Sequence, residues 1–125
     1  MKIQETGIIL YTINYQETVK FYKEIFGLEI LYVKEKLTCL KFSDSYLMIE
    51  LDDEENIRNN KEGRLKFCMR FNVENVREAC KVLDQKNIQY SYNEFEWGTI
   101  AKFLDPDGNQ VGIRSSKEHD ADIMK

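Results

Sequence analysis

Side chains that could bind or transform a small molecule recur along the predicted strands of this sequence. Glu50 lies in a strand-like run, and its carboxylate could act as a general base. Lys66, Arg70 and Arg114 could together hold a carboxylate or a phosphate. Cys68 lies between the first two of these cations and could act as a nucleophile. These residue types predict a site for an organic molecule, with Glu50 as the candidate catalytic residue.

Each of these residues also has a structural interpretation. Glu50 could pair with one of the cations, because buried charges seldom stay unpaired. Cys68 could be a buried small hydrophobic residue, and the cations could belong to a solvated strand face. The aromatic and acidic stretch at 90–97, which ends at Trp97, could stack on a planar ligand or could pack in a strand or a dimer interface. Both interpretations stay open at the level of sequence.

Alternation of residue types predicts which side chains share a face. Neighbouring residues of a strand project to opposite faces of a sheet. Leu10, Leu47 and Val111 belong to strongly apolar sets that would face helices, so the alternate residues would face the site. With Trp97 added, the predicted ligand-binding set is Ile9, Tyr11, Tyr46, Met48, Glu50, Lys66, Cys68, Arg70, Trp97 and Arg114.

Helix signals separate two groups of predicted strands. Asn14 and Glu17 form a capping pair before a helix that runs to Phe26, and Gly27 suits the left-handed residue after it. A second such pair, beginning at Asn75, precedes a second helix. Strands are predicted at 6–13, 29–35, 37–42 and 46–51 in the first half, and at 65–72, 88–94, 98–104 and 109–114 in the second.

The second half of the chain repeats the first at a constant spacing. Asn14 and Asn75 differ by 61 positions, as do Phe42 and Phe103. The pattern predicts a single α+β domain of two βαβββ modules that share one curved mixed sheet, with helices on the outer face. Module one covers 1–52, a polar linker covers 53–64, module two covers 65–115, and a polar tail covers 116–125.

Composition argues against several functional classes. A net charge of −4 and a pI near 5.1 argue against nucleic-acid binding, which requires a basic surface. No apolar run is long enough to span a membrane, and no signal peptide is recognisable. Cys39, Cys68 and Cys80 form no CxxC pair, which argues against a disulfide framework and favours the cytoplasm.

Two motifs resemble those of a known family. The helix Thr18-Val19-Lys20-Phe21-Tyr22 runs to Phe26-Gly27-Leu28, and the turn Asp105-Pro106-Asp107-Gly108 lies near the end of the chain. In this order they resemble the glyoxalase/bleomycin-resistance/dioxygenase group, the vicinal oxygen chelate superfamily. The resemblance covers nearly the whole chain and implies a cupped, half-open barrel. It also places four metal-ligand positions at Gly7, Glu50, Cys68 and Gly112.

Only Glu50 among these four residues matches a family ligand, so neither a metal nor another cofactor is predicted. The resemblance then implies a metal-independent protein that binds a small organic molecule in the cup and forms a homodimer. A glyoxalase-type lyase or isomerase that uses Glu50 is the alternative, and a metal-dependent dioxygenase is not expected. A protein-interaction module with a cup filled by its own side chains is the third interpretation.

Overall fold

The structure is a computed structural model that describes residues 2–52 and 68–124. The chain divides into two compact units, Met1–Arg64 and Leu65–Lys125. Each unit contains one four-stranded mixed sheet and a helix between its first and second strands. The predicted α+β class and the two βαβββ modules are thereby confirmed.

The first unit has the order β1 (Gly7–Thr12), α1 (Tyr15–Phe26), β2 (Ile30–Lys34), β3 (Leu37–Phe42) and β4 (Ser45–Leu51). Its sheet has the strand order β1-β4-β3-β2. Strand β1 is parallel to β4, and the other neighbours are antiparallel. Gly27 ends α1 in the left-handed conformation, with φ 64°, as its position in the sequence predicts.

The second unit has the order β5 (Cys68–Val73), α2 (Val76–Gln85), β6 (Ser91–Phe95), β7 (Gly98–Leu104), β8 (Gln110–Ser115) and α3 (Ser116–Ile123). Its strand order, β5-β8-β7-β6, repeats that of the first unit. Strands β5 and β8 are parallel, and the other neighbours are antiparallel. Each sheet therefore brings its first and last strands together at one side.

The two helix starts differ, although both carry the same predicted capping pair. The Asn75 side chain accepts a hydrogen bond from Glu78 N at 3.1 Å, as expected of a capping residue. Asn14 occupies the N-cap position of α1 as predicted, but its side chain makes no capping hydrogen bond there. Its ψ of 64° departs from the extended backbone of Asn75. Instead Asn14 N donates to Thr12 Oγ1 at 3.1 Å.

Burial follows the predicted alternation in β1, β4 and β5, but not in β2, which is exposed throughout, nor in β3 and β8, where consecutive residues are buried. Leu10, Leu47 and Ile49 are fully buried, whereas Ile9 and Tyr11 are 43% and 44% exposed. In the second unit the buried set is Met69, Val111 and Ile113, with Cys80 and Leu83 from α2. One face of each sheet is thus covered by apolar packing, and the opposite face carries exposed residues such as Tyr11 and Lys102, although Gly112 and Arg114 on it are buried.

The turn before β8 is the most fully hydrogen-bonded turn motif of the second unit's described residues. Asp105 is 5% exposed, and its Oδ1 accepts hydrogen bonds from Asp107 N at 2.9 Å and Asn109 N at 2.8 Å. Asn109 Nδ2 donates to Asp105 Oδ2 at 3.0 Å. Gly108 has φ 86°, which only glycine adopts without strain. The predicted turn is confirmed.

The end of the chain differs from its sequence-based description as a polar tail. Residues 116–123 form helix α3, which contacts β5, β7 and β8. Glu118 fixes this helix to β7, because its Oε2 accepts a hydrogen bond from Thr99 N at 2.6 Å. Sequence periodicity did not reveal α3, since this contact is with a strand distant in the chain. No helix within the described residues has the length and apolar character needed to cross a membrane.

Candidate functional site

Five of the predicted site residues lie together on one face of the first sheet. The register pairs Ile9 with Met48 and Tyr11 with Glu50, and it pairs Gly7 with Tyr46. Paired residues of adjacent strands project to the same side, so parity is sufficient to group them. We call this surface face 1; it consists of Gly7, Ile9, Tyr11, Tyr46, Met48 and Glu50.

Gly7 is the point of closest packing on face 1. The ring of Tyr46 lies where the β carbon of any other residue at position 7 would be. A side chain at position 7 would therefore displace the tyrosine ring. The space that would hold a ligand atom of residue 7 is filled by an aromatic side chain.

Strands β2 and β3 extend face 1 with residues that the sequence analysis did not include. Tyr32 pairs with Cys39, and Cys39 pairs with Met48. A hydrogen bond with Cys39 raises the pKa of the Tyr32 hydroxyl above its ordinary value, and desolvation and the nearby Tyr46 add to the shift. Face 1 is therefore rich in tyrosine and sulfur, which suits contact with an apolar or planar molecule. Tyr32 could not be assigned to this face from the sequence, because a bulge between Ile30 and Tyr32 shifts the register of β2.

Glu50 is the acidic group of face 1. It is half-buried and lies in register between Tyr11 on β1 and Leu37 on β3. Within the described residues of its own unit it makes no ion pair.

The second sheet has the corresponding surface, which we call face 2. Its strands β5 and β8 contribute Cys68, Arg70, Asn72, Gln110, Gly112 and Arg114. Arg70 and Gly112 are register partners, and Lys102 of β7 pairs with Gly112 from the other side. Lys102 was missed by the sequence analysis, although its place between buried Ala101 and Phe103 follows the same alternation.

Cys68 and Arg70 both lie beside Gly112. A β carbon at position 112 would be 3.3 Å from Arg70 Nε and 3.7 Å from Cys68 Sγ. Cys68 is exposed, so the interpretation of it as a buried hydrophobic residue was wrong. Its thiol lies 3.6 Å from the carbonyl oxygen of Met69.

Arg114 is held by an aromatic residue of its own unit. Its Nη2 donates a hydrogen bond to the Trp97 carbonyl oxygen at 2.8 Å, and its guanidinium lies 5.3 Å from the centroid of the Trp97 ring. The ring of Phe95 stacks on the ring of Trp97 at a centroid distance of 5.1 Å and an interplanar angle of 16°. Arg114 is only 8% exposed, whereas Phe95 and Trp97 are each about half exposed, at 49% and 48%. Arg114 therefore positions Trp97, and the two rings form the accessible surface.

The strand register corrects the predicted equivalence between the modules. Gly7 and Cys68 are 61 positions apart, and their partners Tyr46 and Gln110 are 64 apart (110 − 46). The same spacing relates Met48 to Gly112, and Glu50 to Arg114. The turn before β8 is longer than the two-residue turn before β4, so a single spacing does not hold through the last strand of each module.

The register determines which of the four predicted metal-ligand positions are close together. Cys68 and Gly112 are close, because Cys68 Sγ lies 3.7 Å from where a β carbon of residue 112 would be. Gly7 and Glu50 are not, because Glu50 pairs with Tyr11, four residues further along β1, or about 13 Å at the usual strand rise. By register, Met48 and not Glu50 is the residue of β4 that is equivalent to Gly112 of β8.

The donor set does not fit a transition metal of the kind that the family resemblance implies. Zinc, nickel and iron sites are built from three or more imidazole, carboxylate or thiolate ligands. Gly7 and Gly112 offer no donor, Met48 offers a thioether, and Cys68 is a single thiol. Among residues 2–52 and 68–124, no group of three His, Cys, Asp or Glu residues could hold a metal ion. No catalytic step through a metal follows from these residues.

Lys66, of the predicted site set, and His119 remain to be placed. Lys66 lies outside the described residues. His119, the single histidine of the sequence, belongs to helix α3.

Comparisons with known proteins agree with this architecture. The family model described as the Glyoxalase/Bleomycin resistance protein/Dioxygenase superfamily matches residues 3–113. An uncharacterised protein, YraH of Bacillus subtilis, is 27% identical over 113 residues, which cover 80% of this chain and 88% of YraH.

Two solved structures illustrate the shared fold. The lactoylglutathione lyase of Agrobacterium tumefaciens has a TM-score of 0.72 at 20% identity, covering 94% of this chain and 96% of the lyase. TnmS3, an antibiotic binding protein from a Streptomyces species, has a TM-score of 0.70 at 20% identity, covering 92% of this chain and 98% of TnmS3. At these identities the similarity shows the fold alone. The match of the family model over residues 3–113 shows that the chain belongs to the glyoxalase/bleomycin resistance protein/dioxygenase superfamily.

Proposed function

We propose that the protein binds a small organic molecule and does so without a metal ion. The observation that carries this proposal is the content of the positions where a metal would need donors. The Tyr46 ring occupies the space beside Gly7, Met48 takes the position equivalent to Gly112, and Arg70 covers Gly112 itself. Beside Gly112, a cation would be repelled by that guanidinium, and among the described neighbours of Gly112 the one strong donor is the Cys68 thiol.

The chemistry of the two faces supports binding of an organic molecule. Face 1 presents tyrosine rings and a thioether, and face 2 presents charged groups beside a pair of stacked rings. Ligand sites of proteins combine an apolar lining with a few polar groups that set orientation. The structural similarity to an antibiotic binding protein is consistent with the same role.

Metal analysis and native mass spectrometry test the proposal directly. The protein, purified without chelators, is expected to contain far less than one transition metal per chain and to show no stoichiometric binding of Ni²⁺ or Zn²⁺ by calorimetry. Cys68→Ser is the matched control, because it removes any metal held adventitiously by the thiol. One tightly bound metal per chain in both proteins would refute the proposal. A retained small molecule in the native mass spectrum would support it.

A lyase or isomerase that uses Glu50 as general base is the second candidate. The half-buried carboxylate, without an ion pair in the described part of its unit, is the observation in its favour. This candidate predicts that Glu50→Gln abolishes turnover of a 2-oxoaldehyde hemithioacetal and leaves the unfolding midpoint unchanged. Wild-type protein without turnover would remove the candidate.

Assembly and location are part of the proposal. Strand β2 is an edge strand whose residues Ile30, Leu31, Tyr32 and Val33 are 38–61% exposed, and such an edge favours pairing with a second copy. We infer a homodimer, which light scattering would detect and which Val33→Lys should weaken. The three free cysteines favour the cytoplasm, where thiols stay reduced. Fractionation of cells would test this.

A further inference from the structure

Two cations of face 2 lie on opposite sides of a glycine. Arg70 on β5 and Lys102 on β7 are both register partners of Gly112 on the strand between them. Both side chains are exposed. The guanidinium of Arg70 extends over Gly112, since a β carbon there would lie 3.3 Å from Nε. Ile100 Cδ1 lies 3.6 Å and Cys68 Sγ 3.7 Å from the same point, so the two charges flank a glycine that neighbouring side chains cover.

Neither cation has a counter-ion within the described residues of its unit. Two ion pairs of the second unit join Arg77 to Glu94 and Lys81 to Glu78, and neither includes Arg70 or Lys102. The α carbons of Arg70 and Lys102 are two strand spacings apart, about 10 Å, which leaves room for a small anion between the side-chain ends. A carboxylate there can accept hydrogen bonds from both groups, and such charge-assisted bonds are the stronger ones.

An aromatic surface lies further along the same face. Phe95 pairs with Gly98, which is four residues from Lys102 on β7, a distance of about 13 Å along the strand. Phe95 and Trp97 are stacked and about half exposed, and Arg114 fixes Trp97 through both its carbonyl oxygen and its ring. A ring surface held in this way loses little conformational entropy when a ligand stacks on it.

We propose that face 2 binds an aromatic carboxylic acid, with its carboxylate between Arg70 and Lys102 and its ring against Phe95 and Trp97. This inference rests on the proposed binding function and specifies the class of ligand. The separation of the two surfaces selects acids whose carboxylate is joined to the ring by a short chain. A neutral molecule with the same ring makes only the stacking contact.

The test compares two probes that differ in charge alone. Binding of 1-pyrenebutyrate and of its neutral analogue 1-pyrenebutanol is followed by energy transfer from Trp97, the single tryptophan. Wild-type protein is expected to bind the carboxylate at least tenfold more tightly, and added NaCl should reduce only that affinity. Arg70→Gln and Lys102→Gln should each weaken carboxylate binding about tenfold, since a hydrogen bond to a charged group contributes roughly that factor. Lys20→Gln, on α1 of the other unit, is the control with the same loss of charge.

Three outcomes would overturn the inference: equal affinity for the two probes, carboxylate affinity unchanged in both variants, or no binding of either probe. None of them bears on metal content, which decides the proposed function separately. An Arg114→Met variant adds a positioning test. It should weaken both probes by a similar factor, because it loosens the ring surface and leaves the two cations in place.

Discussion

The turn that begins at Asp105 offers the sharpest test of how this sequence determines its fold. Asp105→Ala removes three hydrogen bonds, from Asp107 N, Asn109 N and Asn109 Nδ2, at a residue that is 5% exposed. At about 1 kcal/mol for each bond, with donors left buried, the free energy of unfolding should fall by about 3 kcal/mol. With a urea m-value of about 2 kcal/mol/M, the midpoint should fall by about 1.5 M.

Two variants control this experiment, and the fluorescence of Trp97 reports on the unit that contains the turn. Asp44 occupies the same position in the first module and is exposed, so Asp44→Ala should change stability by no more than about 0.5 kcal/mol. Asp105→Asn keeps an oxygen for the two backbone donors and should cost less than alanine. The reasoning fails if Asp105→Ala costs less than about 1 kcal/mol, or if Asp44→Ala costs as much.

Three further predictions concern single contacts. Asn75→Ala should cost about 1 kcal/mol of unfolding free energy in urea, because its side chain caps α2, and Asn14→Ala should cost clearly less, because its side chain makes no capping bond. A hydrogen bond to Asp84, the largest cause, raises the pKa of Tyr90 to about 12. A raised pKa stabilises the fold below pH 10, so the stability advantage of wild type over Tyr90→Phe should persist to pH 10 and decline toward pH 12 in urea titrations. Glu118→Ala should make the end of the chain cleavable by protease while the unfolding midpoint of the rest changes little, because this carboxylate anchors α3; unchanged protection would contradict that role.

Local signals in the sequence were sufficient for the order of elements. Gly27 adopts the left-handed conformation, with φ 64°, at the position where the first helix was expected to end, and Asn87, with φ 57°, does so just after α2. Asp105 and Gly108 build the turn that their residue types predict. These features depend on residues within a few positions of each other, so sequence alone determines them.

Features that depend on distant contacts could not be predicted in the same way. Helix α3 has little amphipathic character, and its anchor, Thr99, lies 19 residues before Glu118. The placement of Lys102 beside Gly112 and of Met48 beside Ile9 depends on strand register. Register follows turn length and packing, and an equal spacing between repeats does not fix it. For this reason the sequence pattern matched Glu50, and not Met48, to Gly112 as equivalent positions of the two modules.

The corrected register also strengthens the case for an asymmetric ligand. Equivalent positions of the two modules carry Met48 and Gly112, and Glu50 and Arg114, so the repeats match in fold and differ in chemistry. A metal bound by two repeats needs donors at equivalent positions of both. An aromatic acid has an apolar part and a charged end, and it needs unlike surfaces for each. Face 2 carries both kinds of surface, with cations at Arg70 and Lys102 and stacked rings at Phe95 and Trp97, so a carboxylate preference lost in Arg70→Gln would establish that these cations hold the charged end.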